Sequence, residues 1–93
     1  MTMKRIVVNV FGRVQGVGYR YYVVGGAETG NVTGYVRNMP GGSVQVIAEG
    51  AGESLLKFIR YLDAAGDPVI CVDHLEVEWG TPTGEFSGFR VRY

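Results

Sequence analysis

Two short stretches carry side chains suited to handling an anion: "FGRVQGVGYR" (Phe11–Arg20) and "GYVRN" (Gly34–Asn38). In the first, glycines at 12, 16 and 18 precede Arg20. Gly16 and Gly18 tolerate a positive φ, which lets successive backbone N–H groups turn inward as a concave nest. An arginine guanidinium grips a phosphate through two parallel hydrogen bonds. Asn38 closes the second stretch, just before "MPGG". Its amide both donates and accepts, so it can hold a water by a proton or by a lone pair. Each stretch also has a plain structural reading. Glycine-containing loops commonly join strands to helices, and asparagine is a turn former. The spacing matches neither G-x-G-x-x-G nor Gly-Lys-Ser/Thr, so it is not a dinucleotide or P-loop signature.

The elements around these stretches decide what they can reach. Lys4–Phe11, "KRIVVNVF", reads as a strand with Ile6, Val8 and Val10 on one face. Beyond the loop, Tyr19, Tyr22, Val23, Gly26 and Ala27 follow helical spacing. Gly25, Gly26 and Gly30 each cost a helix interior about 1 kcal/mol relative to alanine. The pattern predicts a short, locally weak helix ending at Asn31, the least protected regular element of the fold. Arg20 falls in its first turn, where a cation opposes the helix dipole unless an anion lies between them.

Thr33–Asn38 and Ser43–Glu49 read as a hairpin across "MPGG", with Val44, Val46 and Ala48 on one face. Leu55, Phe58, Ile59 and Leu62 mark a second helix, stopped by Gly66 and Pro68. Val69–Trp79 reads as a long strand. Alternation puts Cys71 with Val69, Leu75, Val77 and Trp79, as a buried structural thiol. His74 falls with Glu76 and Glu78 on the solvated face. A turn-rich connection, Gly80–Gly88, leads to a last short strand, Phe89–Tyr93. The order β-α-β-β-α-β plus one strand predicts an α+β, ferredoxin-like split β-α-β sandwich, with both helices on one face of an antiparallel sheet.

Composition narrows the function classes. The 93 residues, 46% hydrophobic, suit a single domain spanning 1–93. One cysteine and one histidine leave no internal disulfide and no cysteine-based or multi-histidine metal site. A formal net charge of +0 argues against a broad nucleic-acid footprint. The apolar runs are too short for a membrane span, and no signal segment opens the chain. These features predict a cytoplasmic protein, monomeric by default, with neither a nucleic-acid nor a membrane partner.

Taken as a pair, "GRVQGVGYR" and "GYVRN", with Asn38 eighteen positions after Arg20, resemble the acylphosphatase family. The likeness extends to "GGSVQVIAEG" and "GFRVRY", and so covers nearly the whole chain. It implies a ferredoxin-like fold and hydrolysis of the carboxyl-phosphate bond of small acyl phosphates, with no metal or cofactor. Inorganic phosphate is then a product or inhibitor. Carried over, Arg20 matches the family's phosphate-binding catalytic arginine, and Asn38 the asparagine that orients the attacking water. The backbone amides of Gln15, Gly16, Val17, Gly18 and Tyr19 match its phosphate-binding loop. The chain departs from the family in its first helix. There "VVGGAETGNV" replaces charged and alanine-rich helix formers, and Asn31-Val32 replaces a Gly-Leu pair. Two rival readings stand beside this one. One is a nucleic-acid module using its sheet face, after the aromatic strand "SGFRVRY". The other is a non-catalytic phosphate-binding domain of the kind found in larger maturation proteins that handle carbamoyl phosphate.

Overall fold

The computed structural model describes residues 2–93. Five strands, β1 (Met3–Arg13), β2 (Thr33–Asn38), β3 (Val44–Ala51), β4 (Cys71–Gly80) and β5 (Phe89–Val91), form one sheet in the order β4-β1-β3-β2-β5. Neighbours are antiparallel except at one edge, where the appended strand β5 runs parallel to β2. Two helices, α1 (Tyr19–Gly30) and α2 (Gly52–Leu62), cover a single face. The alternation in β1 places Ile6, Val8 and Val10 opposite Ala48, Val46 and Val44, all fully buried beneath the helices. Leu55, Phe58 and Leu62 of α2 close the same core.

α1 forms despite its glycines because its tertiary contacts are unusually specific. Tyr19, Val23 and Ala27 are buried at helical spacing. Tyr22 stacks on Tyr61 of α2, with ring centroids 4.1 Å apart and planes within 7°. Each phenol donates to the other residue's carbonyl, Tyr22 Oη to Tyr61 O at 2.6 Å and Tyr61 Oη to Tyr22 O at 2.7 Å. Gly26 makes this contact possible, since a Cβ there would fall inside the Tyr61 ring. The helix ends as the sequence predicts. Asn31 adopts the left-handed conformation (φ 60), and Val32 N–H reaches back to Ala27 O at 3.1 Å.

β4 corrects one expectation from the sequence. Phe11 faces His74 but Gly12 faces Val72, so Asp73 is an extra residue in a β-bulge. The bulge reverses the alternation on its N-terminal side. Val72, not Cys71, packs against the core, and the Cys71 thiol is exposed. The sequence carries one mark of the extra residue: Asp73 interrupts the apolar series of odd positions, with Val72 apolar beside it. Gly12 permits it, because a Cβ there would collide with the Cys71 carbonyl. The strand also starts two residues later than predicted. Asp67 accepts from Val69 N and Ile70 N, both at 2.8 Å, and holds that segment as a turn. His74 is exposed, as expected, and stacks on Phe11 at 4.5 Å.

A buried carboxylate fastens the long connection between β4 and β5. Glu49 lies on the helix-free face of β3, yet its side chain is only 2% exposed. Its Oε2 accepts from Arg5 Nη1 at 2.7 Å, Thr83 N at 2.9 Å and the Thr83 hydroxyl at 3.0 Å; Oε1 accepts from Gly84 N at 2.9 Å. Burial alone would raise this carboxyl's pKa. The donors from Thr83, Gly84 and Arg5 outweigh it and hold the pKa at about 2, against an ordinary 4.5.

Two predictions follow from these contacts. Gly25→Ala meets nothing closer than the Tyr61 hydroxyl at 4.0 Å and should stabilise the protein by about 0.5–1 kcal/mol. Gly26→Ala should destabilise it, because Tyr61 must move; urea denaturation of both variants checks the pair. A carboxyl with a depressed pKa contributes stability that is complete above its unfolded value and is lost as pH falls through its folded one. Glu49 should therefore contribute on the order of 3 kcal/mol above pH 5, lost between about pH 4.5 and pH 2. The acid dependence of the denaturation midpoint should be shallower in Glu49→Gln, which should also be less stable at pH 7.

Candidate active site

β1 and β2 both run antiparallel to β3, so both finish at the same end of the sheet. The register fixes this closely: Val10 and Asn38 both pair with Val44. The glycine loop leaves β1 at that end. Val14 is buried and Val17 packs against the core, which pins the loop at two points. Gly16 (φ 75) and Gly18 (φ 80) are left-handed. No atom lies within 4 Å of where a Cβ would stand at either position, so backbone conformation, not crowding, calls for glycine.

α1 starts directly from Gly18, which has no side chain to cap it, and its first turn holds no acidic residue. Tyr22 N–H donates to Gly18 O at 3.1 Å as the first helical bond. The N–H groups of Tyr19, Arg20 and Tyr21 therefore have no helical partner, at the positive end of the dipole. Arg20 is half-buried, its guanidinium carbon 5.2 Å from the centroid of the Tyr93 ring. Among the described residues it forms no ion pair. Tyr19 is buried and donates to Leu62 O at 2.6 Å. Burial, then the neighbouring Tyr22 and Asp63, push its phenol well above the ordinary range, so it stays neutral.

Asn38 is exposed as the last residue of β2. The turn that follows is closed by Met39 N–H to Ser43 O at 2.9 Å and Gly42 N–H to Met39 O at 3.3 Å. Gln15 joins that turn to the glycine loop: its side-chain nitrogen donates to Met39 O at 2.9 Å and to Ser43 O at 2.8 Å. The loop from Gln15 to Tyr19, the first turn with Arg20, and the end of β2 with Asn38 thus gather at one end of the sheet. The sequence reading used only the backbone of Gln15 and had no role for Tyr93. A side-chain amide serving two carbonyls a hairpin away leaves no periodic signal.

With the Gln15 amide bonded to the turn, the groups left at this end are backbone N–H donors, the Asn38 amide and the Arg20 guanidinium, a set that suits an anion. Among the described residues, no three His, Cys, Asp or Glu side chains gather as metal ligands. A hollow of about 320 Å³ beside α1 is lined by Gly25, Gly26, Phe58 and Tyr61 and touches none of the candidate residues. Among the described residues, no helix is long and apolar enough to cross a membrane.

The fold and this anion-suited end have counterparts among known proteins. Residues 6–91 match the family model described as Acylphosphatase. The chain is 43% identical over 89 residues to an acylphosphatase of Thermus thermophilus, covering 96% of this chain and 99% of that one. Against an acylphosphatase of Methanospirillum hungatei it is 42% identical over 90 residues, covering 97% and 98%. It is similar to the crystal structure of acylphosphatase from Bacillus subtilis, with a TM-score of 0.91, 31% identity, and coverage of 97% and 99%. The chain belongs to the acylphosphatase family and has its ferredoxin-like fold. Family and fold together support an enzyme that hydrolyses acyl phosphates.

Proposed function

We propose that this enzyme cleaves the carboxyl-phosphate bond of small acyl phosphates without a metal, with Arg20 and Asn38 as its catalytic residues. The observation that carries the reading is the junction of loop and helix. Two left-handed glycines aim the chain into a helix start with three N–H groups that have no helical partner, and in that same turn stands a guanidinium with no ion-pair partner among the described residues. The N–H groups from Gln15 to Tyr19 and the Arg20 guanidinium bind the phosphoryl oxygens. Asn38 holds a water in line with phosphorus. The water oxygen attacks phosphorus, the bond from phosphorus to the acyl oxygen breaks, and the carboxylate departs with that electron pair.

A carboxylate is a good leaving group, so positioning and charge stabilisation carry the rate. Each preorganised donor contributes roughly 3 kcal/mol in the transition state. No candidate residue is a general base, and the proton of the attacking water passes to a phosphoryl oxygen of the substrate. His74 sits on the edge strand β4, stacked on Phe11, and has no part in this scheme. Metal independence rests on the donor set, which among the described residues brings a cation no cluster of His, Cys, Asp or Glu ligands and sets the Arg20 guanidinium against it. These relatives match this chain along almost their whole length, which supports reading residues 1–93 as one acylphosphatase-like domain.

Wild-type protein should hydrolyse benzoyl phosphate in metal-free buffer, with chelators leaving turnover unchanged. Arg20→Ala should abolish both turnover and phosphate binding. Asn38→Ala should lower kcat by about 10²–10³-fold while phosphate affinity is kept. A metal-free wild type that leaves benzoyl phosphate intact would falsify the proposal. A pH–rate profile abolished by His74→Ala would remove substrate-assisted proton transfer.

A further inference from the structure

We infer that the Gln15 side chain is a positioning residue: its amide holds the β2–β3 turn against the phosphate loop and so fixes where Asn38 presents its water. This deepens the reading of Asn38 above and rests on it. Both hydrogens of one NH2 group are spent on that turn, at 2.9 Å to Met39 O and 2.8 Å to Ser43 O. Those two carbonyls flank the turn on either side, and Met39 follows Asn38 directly in the chain.

The two segments joined by this amide differ in how else they are held. The loop is anchored without Gln15, because Val14 is buried, Val17 packs on the core, and Tyr19 is locked to Leu62. The turn has no comparable anchor. Pro40, Gly41 and Gly42 are exposed, and Gly41 and Gly42 both have positive φ. Apart from Gln15, two backbone bonds within the turn, at 2.9 and 3.3 Å, close it on itself. Cutting the brace therefore releases the turn and leaves the phosphate cradle in place. Asn38 caps the strand at the point where that freedom begins. Displacing a reacting group by about 1 Å costs on the order of 10²-fold in rate.

The test uses Gln15→Met, which keeps length and loses both donors, and Gln15→Glu. The expected result for Gln15→Met is a loss of about 10- to 100-fold in kcat, with inorganic phosphate binding within about 3-fold of wild type. In an Asn38→Ala background the same change should cost almost nothing, because the two residues act through one water. Gln15→Glu provides a signature that lost packing would not give. Its carboxylate faces two carbonyl oxygens at pH 7, but the protonated acid regains one O–H donor. The surrounding carbonyls hold its pKa above the ordinary carboxyl range. Its kcat relative to wild type should rise as pH falls from 7 to 5, where Glu49 stays ionised, while Gln15→Met stays flat. Three results overturn the brace alone: Gln15→Met with wild-type kcat, losses that add to those of Asn38→Ala, or equal losses in kcat and phosphate affinity. Full turnover in Asn38→Ala overturns the reading of Asn38 and the brace with it.

Discussion

The reciprocal contact between Tyr22 and Tyr61 is the constraint on which the candidate site depends. α1 carries glycine at 25, 26 and 30, and its own propensity is poor. Short helices in proteins draw most of their stability from packing. Here the packing is two stacked rings, each phenol bonded to the opposite backbone, with Tyr19 bonded to Leu62 beside them. All three phenols act as neutral donors, and burial raises the pKa of each. The helix that presents free N–H groups and Arg20 is thus fixed at its N-terminal half, where the anion-binding geometry lies.

The rest of the molecule supplies direction. Two parallel strands, β1 and β2, share β3 as a common antiparallel neighbour, so a loop and a strand end meet without any long excursion. β5 adds to β2 in parallel and carries the chain on to Tyr93, whose ring lies against the Arg20 guanidinium. A cation over an aromatic face loses some freedom but keeps its charge. The same end of the chain carries Arg92, stacked on Tyr35 at 3.8 Å on the helix-free face. Two successive residues just beyond β5 thus serve opposite sides of the sheet.

Much of this was legible in the sequence, and for identifiable reasons. Alternation in β1 and β3, the helical spacing of Leu55, Phe58 and Leu62, and the stop at Asn31 are local signals, and all of them hold in the structure. Loss of legibility began where a residue's environment is set by a distant segment. Cys71 changed face because of one extra residue opposite Gly12. Gly26 read as a cost, whereas it is the opening that receives Tyr61. Glu49 sat in a solvent-facing register, but the connection that buries it arrives more than thirty residues later. The types and spacing of Arg20 and Asn38 were visible from the start. The Gln15 bonds that bring their two segments together were not, because the amide acts across a hairpin.

The Glu49 cluster also bears on how the molecule responds to heat. Withdrawing a carboxylate from water carries a penalty that shrinks on warming, because the hydration of ions becomes less favourable as temperature rises. Hydrophobic burial gains no comparable advantage. The knot of Glu49, Arg5, Thr83 and Gly84 therefore grows in relative weight as the apolar core loses its lead. The connection leading to β5 is held by the kind of interaction that fades last in a warming protein.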